Sequence, residues 1–213
     1  MSVDECLQAI EAGISIAGQC HGDGYGIIFT GEMGIGNTTS ATALLCALCA
    51  LDPEVVTGRG AGLSDEGLKR KTDVIKRALA FHGPDISDDP LRALCSVGGL
   101  DIAGLAGLFI GAAVYHMPIV IDGMITAVAA LAAERIVRGC RHYMIASHSG
   151  RERGTSEALS RLGLKSVIDG NMALGEGSGG VILLPVIEMI LNVYNSGTRF
   201  ESTKISRYER FDK

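Results

Sequence analysis

The sequence predicts an α/β protein: a doubly wound, mostly parallel sheet in a Rossmann-like three-layer arrangement with helices on both faces. Three observations carry this expectation. Short β-branched runs such as "PIVIDG" (118–123) alternate almost throughout with segments of helical periodicity. Those runs are continuously apolar, as a strand covered on both faces requires. The composition includes 29 glycines, five prolines, five phenylalanines and no tryptophan, so turns and close backbone approaches outweigh aromatic anchors.

Val3, Leu7, Ile10 and Ile14 recur at helical spacing and predict an amphipathic helix over 3–18. "YGIIF" (25–29) reads as a short buried strand. Asn37, Thr38 and Thr39 are good helix starters, and "SATALLCALCA" continues as an apolar helix that ends before Asp52–Pro53. "EVVTG" (54–58) reads as a second strand and "GRGAGL" as a loop. A helix capped near Ser64 runs through "DEGLKRKTDVIKRALAFH". Asp89–Pro90 starts the helix "LRALCS", which "VGG" breaks before an apolar helix over 101–115. The strand 118–123, a helix over 124–138, the strand "HYMIAS" (142–147), a helix around 155–162, the strand "KSVID" and a long apolar helix over 177–194 complete the order. Residues 1–195 read as one α/β domain and 196–213 as a polar C-terminal tail or arm.

A net charge of −5 and a pI near 5.5 argue against nucleic acid or an anionic membrane as the main partner, since both need a basic face. Any anionic ligand must be held locally. Cys6, Cys20, Cys46, Cys49, Cys95 and Cys140 show no disulfide-framework spacing, so a reducing cytoplasm is expected. The C-x-x-C of Cys46 and Cys49 lies mid-helix without a second pair, and reads as packing rather than as a metal or redox site. "MSVDECLQAIEAG" lacks a basic-then-apolar pattern, so no signal peptide is expected. The nearly uncharged stretch 103–121 is long enough to span a bilayer, but His116 and Pro118 divide it into a buried helix and a buried strand.

The most informative stretch is "GEMGIGNTTSAT" (31–42), a strand-to-helix loop. In open α/β sheets ligands collect at the carboxyl ends of strands, where backbone N–H groups at a helix N-terminus can face an anion. Gly34, Ile35, Gly36, Asn37, Thr38 and Thr39 could supply such a nest for a phosphate. No Lys-Ser/Thr pair follows, so this is not a Walker A loop. The dinucleotide fingerprint is also absent, and Arg59 stands where an acidic ribose-binding residue would be expected. This disfavours an NAD-dependent oxidoreductase. On physics alone, a tight turn with a hydroxyl cap explains the loop as well as a phosphate site does.

Taken in order, "GEMGIGNTTSA", "GRGAGLSDEGLKRK", "PIVIDG", "ASH" and "LGEGSGG" resemble the nicotinate-nucleotide:dimethylbenzimidazole phosphoribosyltransferase family over essentially residues 1–195. The resemblance implies transfer of phosphoribose from nicotinate mononucleotide to 5,6-dimethylbenzimidazole or a related base, without a metal or other cofactor. It implies that Glu176 is the general base taking the benzimidazole N–H proton. Glu32 would orient the ribose or support a positively charged transition state, with a loop carboxylate bonded to backbone amides as the alternative. It favours Lys71 over Arg59 as the phosphate cation, while Lys69 and Arg70 read as a solvated helix face. Met33 and Leu174 would press on the faces of the base, with packing away from ligand as the alternative. Asp122 is a secondary candidate that a helix cap explains equally.

"ASHSGRERG" (146–154) departs from the family's more usual His-x-Ser-x-Glu-Pro-Gly, since Gly150 and Arg153 replace Ser and Pro. The backbone of Ser149 and Gly150 is the candidate nicotinate site, and His148 reads as structural. Family members carry roughly a hundred further residues before the helix with which this chain begins, a sizeable fraction of a domain. The resemblance implies that this segment lines part of the base pocket and contributes to a dimer. The expected partner is therefore a second copy or a chain supplying that segment. The alternative is a nucleotide-binding module lacking a complete base pocket.

Overall fold

A computed structural model of the protein describes residues 1–199 and 202. Most of the polar stretch 196–213 lies outside the described residues.

Local chemistry sets the helix boundaries. Helix α1 (Val3–Gly22) starts at Ser2, whose hydroxyl accepts the Glu5 amide while the Glu5 carboxylate takes the Ser2 amide, closing a capping box. Strand β1 (Ile28–Phe29) leads into α2 (Thr38–Cys49). Helix α3 (Pro53–Val56) occupies the run expected to be a second strand. Asp52 accepts the Glu54 amide at 3.0 Å and Pro53 stands in the first turn, so a helix start prevails over two β-branched residues. Helix α4 (Asp65–His82) is capped by Ser64, and α5 (Pro90–Val97) by Asp89.

Helix α6 (Leu100–Val114), β2 (Ile119–Ile121) and α7 (Met124–Ile136) follow, then β3 (Met144–Ala146) and β4 (His148–Gly150). Helix α8 (Arg153–Leu162), β5 (Ile168–Met172) and α9 (Ser178–Asn195) complete the order. Strand β4 was not expected, and β5 begins three residues later than its predicted start at Lys165. Its residues 169–171 are exposed and not β-branched, so no apolar run marks it.

The architecture is α/β with parallel pairing throughout. β1-β2-β3 form one sheet and β4-β5 a second. The expected single sheet is thus divided at Ser147, between β3 and β4, where the chain stops pairing with β2 and Ser147 O takes the Ile168 amide.

All three residues of β2 are fully buried, and α7 and α9 both pack against this strand. Helices α1 and α6 meet through glycines. A Cβ on Gly13 would stand 2.0 Å from Gly104 O, and one on Gly107 2.0 Å from Ile10 O. Ile102, Phe109 and Ala112 of α6 are fully buried, so the uncharged stretch is a core helix followed by a core strand. Burying side chains as large as Ile102 and Phe109 contributes roughly 1.5–3 kcal/mol each. Helix α9 differs. Val181, Met189, Ile190, Val193 and Tyr194 are each at least 60% exposed, and among the described residues α9 is the helix long and apolar enough to cross a membrane.

Candidate active site

The carboxyl ends of β1 and β2, with the β4–β5 sheet, open onto a cavity of about 240 Å³. The chain leaves β1 through buried Thr30, whose hydroxyl donates to Val120 O at 2.7 Å. The next residues run beside the loop before α9. The Glu176 amide donates to Glu32 O at 3.1 Å, and a Cβ on Gly31 would stand 2.6 Å from Gly177 N. The two motifs carrying the predicted acids are therefore zipped together.

Glu176 is left-handed at φ 55°, between Gly175 at 74° and Gly177 at 81°. A non-glycine residue held there costs about 1–2 kcal/mol and persists only where the surroundings hold it. Asp122 does the holding. The residue is 2% exposed, with Oδ2 accepting the Gly177 amide at 3.0 Å and Oδ1 the Gly179 amide at 2.7 Å. Asp122 lines the cavity and caps α9 as well, so it is the anchor of the loop presenting Glu176.

Beneath it, Ser147 donates to Ile121 O at 2.7 Å. The hydroxyl has one proton, so the 2.9 Å contact with His148 Nδ1 makes that nitrogen the donor. His148 Nδ1 is 4.0 Å from Asp122 Oδ1. A Cβ on Gly179 would stand within 2.2–2.7 Å of His148, Ser147 and Asp122, so only glycine fits over this polar trio.

The loop expected to hold phosphate has Gly34 and Gly36 left-handed at 74° and 85°. Gly34, Ile35 and Thr38 line the cavity, whereas Gly36, Asn37 and Thr39 do not. The Gly34 amide already donates to Glu32 Oε2 at 2.6 Å, the loop-carboxylate alternative for Glu32. Asn37 turns away, donating from Nδ2 to Asp101 Oδ2 at 2.8 Å and making no side-chain cap. The first-turn amides of α2 are thereby left to backbone partners beyond the helix or to an anion.

Lys71 is 6% exposed and donates to Thr38 Oγ1 and Gly58 O, each at 3.0 Å, which leaves one of its three donors without an acceptor among the described residues. Burial pushes its pKa below the ordinary 10.5, while the Glu152 charge opposes that shift. Lys69 and Arg70 are exposed, as expected.

Four further predicted residues, Lys71, Arg59, Ser149 and Glu176, do not line the cavity. Arg59 donates to Leu63 O and pairs with Asp65 at the surface, because the 59–65 turn supplies both acceptors locally. Ser149 donates to Asp169 at 2.7 Å and does not line the cavity, since β4–β5 pairing draws it across to that carboxylate, while Gly150 does line it. Glu176 stays off the cavity wall as well, although neighbouring Gly175 lies on it. Met33 and Leu174 line the mouth at 60% and 69% exposure. Sequence reasoning missed Glu152, Thr155 and Met172 as lining residues. Glu152 lay inside the quoted "ASHSGRERG", and its position just before α8 was the available signal. Cys46 and Cys49 lie in α2, and burial pushes the Cys46 thiol up to about 12.

A family model described as a phosphoribosyltransferase matches residues 1–205. The nicotinate-nucleotide–dimethylbenzimidazole phosphoribosyltransferase of Alkaliphilus metalliredigens is 43% identical over 206 residues, covering 97% of this chain and 59% of that protein. The enzyme of the same name from Halalkalibacterium halodurans is 44% identical, covering 97% of this chain and 57% of its own length. The crystal structure of CobT from Thermus thermophilus superposes with a TM-score of 0.90 at 36% identity, over 98% of this chain and 62% of that one. This chain thus spans about three-fifths of the length of these relatives. It belongs to the nicotinate-nucleotide–dimethylbenzimidazole phosphoribosyltransferase family.

Proposed function

We propose that the cavity is a phosphoribosyl-transfer site that takes nicotinate mononucleotide and 5,6-dimethylbenzimidazole or a related base, and yields nicotinate and an α-ribazole phosphate. The observation that supports this reading is the 3.1 Å bond from the Glu176 amide to Glu32 O, which joins the loop carrying Glu176 to the loop carrying Glu32.

The phosphate is held by the 34–39 backbone and the α2 amides, with Thr38 and Lys71 as side-chain donors. Glu176 takes the N–H proton of the benzimidazole, and the other ring nitrogen attacks ribose C1′ from the face opposite nicotinate. The C1′–nitrogen bond to the pyridinium breaks, its electron pair returns to the ring nitrogen, and nicotinate leaves. The proton passes from Glu176 to solvent. Glu32 supports the positive charge that develops on the ribose, and the 149–150 backbone receives the nicotinate carboxylate. Met33 and Leu174 flank the base. Positioning and electrostatics supply the rate, with no covalent intermediate on the protein.

The test is nicotinate release in the presence of dimethylbenzimidazole. Glu176→Gln should lower turnover about 10²–10⁴-fold, the range for a general base, with nucleotide binding retained. Equal turnover in both proteins would refute the assignment.

The exposure of Met33 and Leu174 favours a second reading, a nucleotide-binding module whose base pocket needs another chain. Nucleotide binding without base binding or turnover would select it. A second copy of this chain, or one supplying the relatives' remaining length, is the proposed partner. The six free thiols support a reducing cytoplasm.

A further inference from the structure

The cavity wall holds an acid that the mechanism above does not use. Glu152 precedes α8, lines the cavity and makes no side-chain cap bond. Its Oε2 is buried and has no hydrogen-bond donor among the described residues. A carboxylate only accepts, and a buried carboxylate oxygen left without a donor is disfavoured. Gly58 leaves room for the carboxylate. A Cβ there would stand 3.2 Å from the carboxylate carbon and 3.2 and 3.3 Å from its oxygens. The carbonyl of the same Gly58 accepts from Lys71. Ammonium and carboxylate thus flank one peptide, close enough that the Glu152 charge favours protonated Lys71.

We propose that Glu152 accepts hydrogen bonds from the ribose hydroxyls of the nucleotide whose phosphate Lys71 and Thr38 hold. This rests on the nucleotide reading of the site, and the chemistry of the ligand selects the hydroxyls. The ionised phosphate and the nicotinate carboxylate only accept, and would be repelled. The base brings one N–H, which goes to Glu176. The 2′- and 3′-hydroxyls are the donors that remain. Glu152 therefore sets specificity for a ribose over a deoxyribose and fixes the sugar while C1′ is displaced.

The experiment is calorimetric titration of the full chain and of Glu152→Gln and Glu152→Ala. The probes are nicotinate mononucleotide, its 2′-deoxy and 3′-deoxy analogues, and inorganic phosphate. A hydrogen bond to a charged group predicts that wild type binds one or both deoxy analogues about 10- to 100-fold more weakly than the ribonucleotide. Glu152→Ala should weaken the ribonucleotide by a similar factor while leaving that deoxy analogue and phosphate unchanged. This non-additivity identifies a direct contact. Glu152→Gln keeps one acceptor oxygen and the side-chain volume, and should fall between the two. If only the alanine variant fails to fold in a thermal melt, the glutamine variant decides.

Equal weakening of phosphate and every nucleotide would mean that Glu152 acts through Lys71 and overturns the hydroxyl contact. Unchanged ribonucleotide affinity overturns it too, with the nucleotide reading intact. Failure of wild type to bind any nucleotide would refute both.

Discussion

Replacing Asp122 with asparagine tests how the site is held together. The carboxylate accepts two backbone amides, from Gly177 at 3.0 Å and Gly179 at 2.7 Å, in a 2% exposed position. Asparagine keeps one acceptor and turns an NH2 group toward the other amide. One charge-assisted bond is lost, worth about 1.5–3 kcal/mol, and a buried donor is left facing a donor. A total of about 3 kcal/mol follows. For a chain of this size each kcal/mol shifts Tm by about 2–4 °C, so a fall of about 6–12 °C is expected. The loss is local, so hydrogen exchange at the Gly177 and Gly179 amides should accelerate more than in β2, whose residues are fully buried. Glu176 then loses its enforced left-handed conformation, and nicotinate release should fall more than tenfold, a factor worth about 1.4 kcal/mol. An unchanged Tm with unchanged exchange at both amides would refute the idea that Asp122 anchors the loop that carries Glu176.

Two further outcomes are expected. Burial lowers the Lys71 pKa below 10.5, so in the interval between its folded value and 10.5 the unfolded chain binds more protons and stability rises with pH. Phosphate affinity moves the opposite way, falling as Lys71 loses its charge. Titration with inorganic phosphate should give a midpoint below 10.5, and Lys71→Arg should remove that step, since guanidinium stays charged. Gly107→Ala would place a methyl 2.0 Å from Ile10 O. Separating α1 from α6 should then cost about 3 kcal/mol, the upper end for overpacking, and a urea melt with unchanged midpoint would contradict the close helix contact.

What the sequence determined by itself was local or periodic. Ser64, and Asp89 with Pro90, mark helix starts because the groups that bond there lie within three residues of one another. The continuous apolar run of β2 marks a covered strand for the same reason. The α3 error came from reading Asp52–Pro53 only as the end of one helix when it also begins the next. Strands β4 and β5 were obscure because their pairing, not their hydrophobicity, defines them.

Only the tertiary structure decided which residues meet. "LKRK" does not say that Lys71 turns inward to Thr38 while Lys69 and Arg70 face solvent. Arg59 is the second candidate for the phosphate in the sequence, and the turn beside it supplies Asp65 instead. The joining of Glu32 to Glu176, and the grip of Asp122 on the loop around Glu176, depend on backbone amides that every residue but proline carries. Such bonds leave no signature in side-chain identity, and folding alone selects their partners.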